Sequence, residues 1–249
     1  LEDDAETLPA TLEQELAERT GLAVECLDAA VCGWSTWQHQ RFLESEGERW
    51  EPDLVLLGFV LNDVTERLGL VGFGGGGQGA QLASARADGP GWLAESGLYL
   101  ALRELGSWLA DRRDPAALQA RADRLTPYHL MLQPDAERVQ AAWLQVLPEL
   151  DSILAWCRAR SLPLVLVVFP YTLQLTSPEA DAPQRILAHF ARARGLPCLD
   201  LLPGLIAGQQ RGTLLPTDLF FDGLHPTALG NQLSAEEIAR FVLEPALLR

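Results

Sequence analysis

The chain has 249 residues, with 34 Asp+Glu against 19 Lys+Arg and a formal net charge of −15. Hydrophobic residues make up 48% and charged residues 21%, a globular composition and not a disordered one. The acidic balance excludes nucleic acid and anionic membrane surfaces as natural partners, since both recruit clustered positive charge. No lysine occurs, which removes a P-loop lysine, a Schiff-base lysine and a Ser–Lys pair together.

Leu8, Leu12 and Leu16 are spaced by four, with Pro9 near the start and Gly21 just past the end. That pattern predicts an amphipathic helix over 8–20. A short strand is expected at Leu22–Leu27, and a helix over the polar segment 36–49. Asp53 to Val60 is a continuous apolar run after its first residue, suited to a strand covered on both faces. From about 64 to 135 the pattern degrades. This region holds a glycine-rich stretch at 72–79 and a helical leucine pattern at 92–112, and it reads as an irregular insertion, a candidate lid.

Regularity returns with a helix over 135–160 and a buried strand over 164–169, closed by Pro170. A helix over 183–194 ends at Gly195, a third strand covers 196–201, and a last helix runs to about 244. Strands alternating with helices imply a parallel sheet with helices on both faces, in one α/β domain over 1–249. The longest apolar run, Leu162 to Phe169, falls far short of the roughly 20 residues that span a membrane.

Open parallel sheets bind ligands beyond the carboxyl ends of their strands. Three short segments lie there. In Asp222-Gly-Leu-His225-Pro226, a turn can fold the carboxylate onto the imidazole, fix its tautomer and leave Nε2 as a general base. The same residues also suit a plain turn and helix entry. Asn62, after the strand at 53–60, either points its amide at an oxyanion or makes the turn out of the strand. Gly33 either presents its N–H to that oxyanion or is an ordinary turn glycine.

Other features carry less. Gly72-x-Gly74-x-x-Gly77 sits in a glycine run with no convincing helix after it. Trp34 and Trp37 serve a pocket or the core. Nothing sets Ser35 on a strained elbow. His39, His129 and His189 have no partner nearby in sequence and read as structural or exposed. Cys26, Cys32, Cys157 and Cys198 form no CxxC pair and read as small apolar residues, with no zinc site.

Taken in order, the three segments resemble the blocks of the GDSL/SGNH hydrolase family. Val31 to Gln38 looks like its glycine block, Leu57 to Val64 its asparagine block and Phe221 to Pro226 its histidine block. The resemblance implies a flavodoxin-like three-layer sandwich with strand order 2-1-3-4-5. It implies Asp222 and His225 as two members of a catalytic triad, and Gly33 and Asn62 as oxyanion donors. It implies a small-molecule or carbohydrate ester as substrate, with no metal and no organic cofactor. Asp28 departs from the family, which often has Asn there. The larger departure is the Gly-Asp-Ser block that carries the nucleophile, which occurs nowhere in the chain. That block and the first, central strand are expected upstream of Leu1, so the chain alone is expected to lack turnover. Three other readings share the pattern: an inactive SGNH-like domain that binds glycan or protein, an O-acyltransferase, and a flavodoxin-like nucleotide binder. The last lacks a Gly-rich strand–helix turn.

Overall fold

The structure is a computed structural model that describes residues 4–31, 33–69 and 125–244. The glycine-rich stretch 72–79 and the expected helix over 92–112 lie outside the described residues.

Three strands form a parallel sheet in the order β1 (Val55–Phe59), β2 (Leu164–Val168), β3 (Cys198–Asp200). Val55 pairs with Leu164 and Phe59 with Val168, while Leu166 pairs with Cys198 and Val168 with Asp200. All five residues of β2 are 5% exposed or less. Side chains alternate across a strand, so β2 divides its burial between two cores. Leu164, Leu166 and Val168 face Val146, Leu150 and Ile153 of α5 (Glu137–Ala159) and Leu187 and Phe190 of α7 (Ala182–Arg194). Val165 and Val167 face Leu12 of α1 (Leu8–Thr20), Leu205 of α8 (Leu202–Gly212) and Ile238 of α10 (Ala228–Val242). Helices therefore cover both faces, as the alternating pattern implies, and the fold is a mixed α/β sandwich.

The remaining elements are α2 (Thr36–Glu46), α3 (Asn62–Gly69), α4 (Pro127–Leu132), α6 (Thr172–Thr176) and α9 (Pro216–Leu219). The first helix ends where expected: Gly21 takes φ +69° and its N–H closes on Ala17 O at 2.8 Å. That left-handed residue is the usual glycine C-terminal cap.

Two expectations need correction. Leu22–Leu27 forms no strand. A strand exists only by pairing, and no described strand pairs with this segment. It runs as unladdered chain with Leu22 68% and Leu27 44% exposed. Its backbone is instead caught by α1, where Cys26 N–H donates to Glu13 Oε2 at 2.9 Å. Second, the ends of the region 64–135 are regular. Helix α3 continues through 64–69 and α4 covers 127–132. Val64 and Leu130 are both fully buried in the core around Trp143, so apolar seating overrides the weak local pattern.

β1 differs from β2 in its burial. Val55 and Leu56 are half-buried and Gly58 is exposed. Among the described residues no strand pairs with its outer edge.

The last helix starts on a close backbone approach. Thr227 Oγ1 accepts Gly230 N–H at 3.1 Å, and Thr227 N–H donates to Leu219 O at 2.9 Å. A Cβ at position 230 would lie 2.1 Å from Leu219 O and 3.0 Å from Pro226 Cβ. Alanine improves on glycine within a helix by about 1 kcal/mol, but a carbonyl oxygen of the main chain cannot yield to that contact. Gly230→Ala is expected to lower stability by about 3 kcal/mol net, read as the urea midpoint. An unchanged midpoint would show that α10 and Leu219 are not packed this closely.

Candidate active site

The segment between α9 and α10 folds back on itself. Phe220 and Pro226 form an antiparallel bridge, and Phe221 N–H donates to His225 O at 2.9 Å. Within this loop Asp222 is used twice. Its Oδ1 accepts the backbone N–H of Leu224 at 2.8 Å and of His225 at 2.9 Å, and its Oδ2 lies 2.7 Å from His225 Nδ1. Both readings of the segment are thus met by one arrangement: the carboxylate makes the turn and also orients the ring. His225 Nε2 is the ring nitrogen that Asp222 does not engage.

The electrostatics follow from those bonds. The His225 N–H, then the Leu224 N–H, then the His225 ring hold the Asp222 carboxyl down at about 2. Hydrogen bonds to the charged form favour it. The two side chains are 54% and 59% exposed, so the pair meets solvent and contributes little as a surface ion pair.

The turn is docked on the carboxyl end of β2. Thr172, four residues beyond Val168, donates its hydroxyl to Asp222 O and its N–H to Gly223 O, the latter at 2.9 Å. Leu224 packs on the cluster that includes Leu61, Val64 and Tyr171. Nothing in the sequence marked Thr172, because the contact spans fifty positions and follows no local motif.

Asn62 opens α3 just beyond β1. Leu61 and Val64 on either side are fully buried, and the neighbouring Asp63 is 4% exposed. Asp63 Oδ2 accepts Val60 N–H at 2.9 Å and makes the turn out of the strand. Asn62 itself is half-buried at the same sheet edge as Thr172, because parallel strands end on one side. Gly33 takes φ +80°, a conformation that costs any other residue strain. It stands just before α2, which packs on α3 and α5. Asp222 and His225 are in direct contact, while Asn62 lies just beyond the carboxyl end of β1 and Gly33 just before α2.

The remaining candidates take other roles. Ser35 is 5% exposed and caps α2, with its hydroxyl donating to Gln38 Oε1 at 2.5 Å and its N–H to the same oxygen at 2.9 Å. His129 does have a sequence-local partner, contrary to the reading above. Its Nδ1 accepts Thr126 N–H at 3.0 Å and caps α4. A Thr-x-x-His spacing at a helix start was the available signal. His39 meets the Trp34 ring at 6.1 Å, and burial lowers its pKa. His189 lines an open groove between α5 and α7. Trp34 packs on Phe42, while Trp37 is exposed. Cys157 and Cys198 are pushed up to about 11, mainly by burial, which keeps them protonated thiols. Among the described residues no group of His, Cys, Asp and Glu is placed to hold a metal ion, and no helix is long and apolar enough to cross a membrane.

A model of the GDSL-like Lipase/Acylhydrolase family matches residues 2–233. The chain belongs to this family. Searches of curated proteins and of solved structures returned no match. Family membership supports hydrolysis of esters in general, and the matched span contains Gly33, Asn62, Asp222 and His225.

The depressed Asp222 carboxyl sets a pH window. Its folded value of about 2 lies below the ordinary carboxylate near 4. The contribution of its ionised form is therefore present above about pH 4 and is lost as pH falls through about 2. Carbon NMR of the Asp222 carboxyl is expected to show a midpoint near 2, and a midpoint near 4 would mean that the two N–H bonds are not made in solution.

Proposed function

We propose that the protein is a serine ester hydrolase that transfers an acyl group to water. The observation that carries this reading is the Asp222–His225 contact at 2.7 Å, with the carboxylate fixed by two backbone N–H groups. A serine Oγ attacks the ester carbonyl while His225 Nε2 takes the hydroxyl proton. Asp222 stays ionised and stabilises the imidazolium without accepting its proton. The tetrahedral intermediate collapses, the alcohol leaves with the proton from Nε2, and an acyl-serine remains. Water then attacks the acyl-serine, giving its proton to Nε2. Collapse releases the acid and returns that proton to the serine. Gly33 N–H, Asn62 Nδ2 and the nucleophile's own N–H hold the oxyanion in both halves.

The nucleophile is assigned to a serine outside the 249 residues. No Gly-Asp-Ser occurs in the sequence, and the Ser35 hydroxyl is committed to its cap. We place that serine on a strand lying against the outer edge of β1. Two features support the placement: β1 is apolar yet half-exposed, and among the described residues no strand pairs with its outer edge. The substrate class is a small-molecule or carbohydrate ester.

The test uses the protein that carries this serine. It is expected to be labelled by a fluorophosphonate and to hydrolyse p-nitrophenyl acetate. His225→Ala is expected to remove at least nine-tenths of turnover. Asn62→Ala is expected to cost about 10²–10³ in kcat, the usual loss for one oxyanion donor. More than a tenth of the activity surviving in His225→Ala would overturn the general-base role. Neither labelling nor turnover in the unaltered protein would favour the binding-domain reading instead.

A further inference from the structure

The Asp222–His225 pair is closed by local bonds, and these say nothing about where the pair sits on the sheet. Two hydrogen bonds from one residue cross that gap. The Thr172 hydroxyl donates to Asp222 O, and its N–H donates to Gly223 O at 2.9 Å. We infer that Thr172 is a positioning residue, whose paired donors to successive carbonyls set the Asp222–His225 turn on the carboxyl end of β2. The inference deepens the hydrolase reading and rests on it for its kinetic consequence alone.

Thr172 is itself held rigidly. Tyr171 is 5% exposed, and its N–H donates to Gln174 Oε1 at 2.9 Å. Gln174 is fully buried. Its amide nitrogen donates to Ala180 O at 2.8 Å and to Gln184 Oε1 at 2.7 Å, and its Oε1 also accepts from Gln184 Nε2 at 3.1 Å. Both donors and both acceptor positions of this amide are thereby filled. A fully satisfied buried amide rigidifies what it holds, here the start of α6 against α7. On the other side, a Cβ at Gly223 would meet the Tyr171 ring at an ordinary 3.7 Å. The ring therefore lies against the turn without crowding it. The linkage thus runs from Gln184 through Gln174 and Thr172 to the peptide that follows Asp222.

Removing the hydroxyl leaves Asp222 O without its donor and leaves one bond where there were two. The turn should then lose its fixed relation to β2, while the locally closed Asp222–His225 contact is kept. The Tyr171 ring lies against Gly223, so the ring-current shift of the Gly223 α-protons reports this relation directly.

The experiment compares Thr172→Val, nearly isosteric, with Thr172→Ser, which keeps the donor. Proton NMR reads the ring-current shift of the Gly223 α-protons, and near-ultraviolet circular dichroism checks the fold. The unaltered protein and Thr172→Ser are expected to keep this shift, and Thr172→Val to lose most of it. In the serine-bearing protein, Thr172→Val is expected to lower kcat about tenfold with KM nearly unchanged, as for a group that acts through orientation. If Val is not accommodated, Thr172→Ala gives the same comparison. A folded Val or Ala variant that keeps the parent Gly223 shift overturns the inference, whatever the activity. Loss of the Gly223 shift in a protein that hydrolyses no ester sustains it and overturns the hydrolase reading instead.

Discussion

Strand β2 organises the molecule because it is buried on both faces and paired on both edges. A five-residue apolar strand in that position must be covered twice. It therefore calls for α5 and α7 on one side and α1, α8 and α10 on the other. Parallel pairing also fixes polarity. The ends of β1 and β2 open on the same side, and the chain leaving each one supplies polar groups there: Asn62 beyond β1 and Thr172 beyond β2. The candidate site is thus a consequence of strand direction before it is a consequence of any motif.

Its electrostatics are local. The chain is strongly acidic, and a general negative field would favour protonation of carboxyls. Asp222 is nonetheless held ionised, because three donors within three residues point at it. Asp200 shows the opposite case. At the end of β3, burial raises its carboxyl to about 6, against the Leu202 N–H that lowers it and with the nearby Asp181 adding to the rise. Two carboxylates in one domain are set apart by how many N–H groups reach each and how much water is excluded.

Much of this was legible in the sequence. The leucine spacing and Gly21 gave the bounds of α1. The apolar runs gave three parallel strands, although the ladders are shorter than the runs. The Asp222-x-x-His225 spacing was sufficient for the pair because its geometry is closed within four residues. What failed depended on partners distant in sequence. Leu22–Leu27 has strand composition, but composition cannot supply a neighbour. Leu130 and Met131 looked irregular beside Pro127 and Pro134 until the core around Trp143 seated them. Thr172 was silent because its hydroxyl matters only once the chain returns fifty residues later. His129 was readable and was missed, since its capping role needs only the start of its own helix.

The shortness of the Asp222–His225 loop has a consequence for how order is distributed. Contacts of low sequence separation cost little loop-closure entropy and form early. The carboxylate and imidazole can find one another in a chain whose sheet is still incomplete. Asn62 and Gly33 take their places only once α2, α3 and α5 have assembled. Partial melting from the helix layer would therefore displace Asn62 and Gly33 while the Asp222–His225 contact stayed intact. Such a state would keep its short-range contact and lose its long-range order, so the two need not vanish at the same temperature.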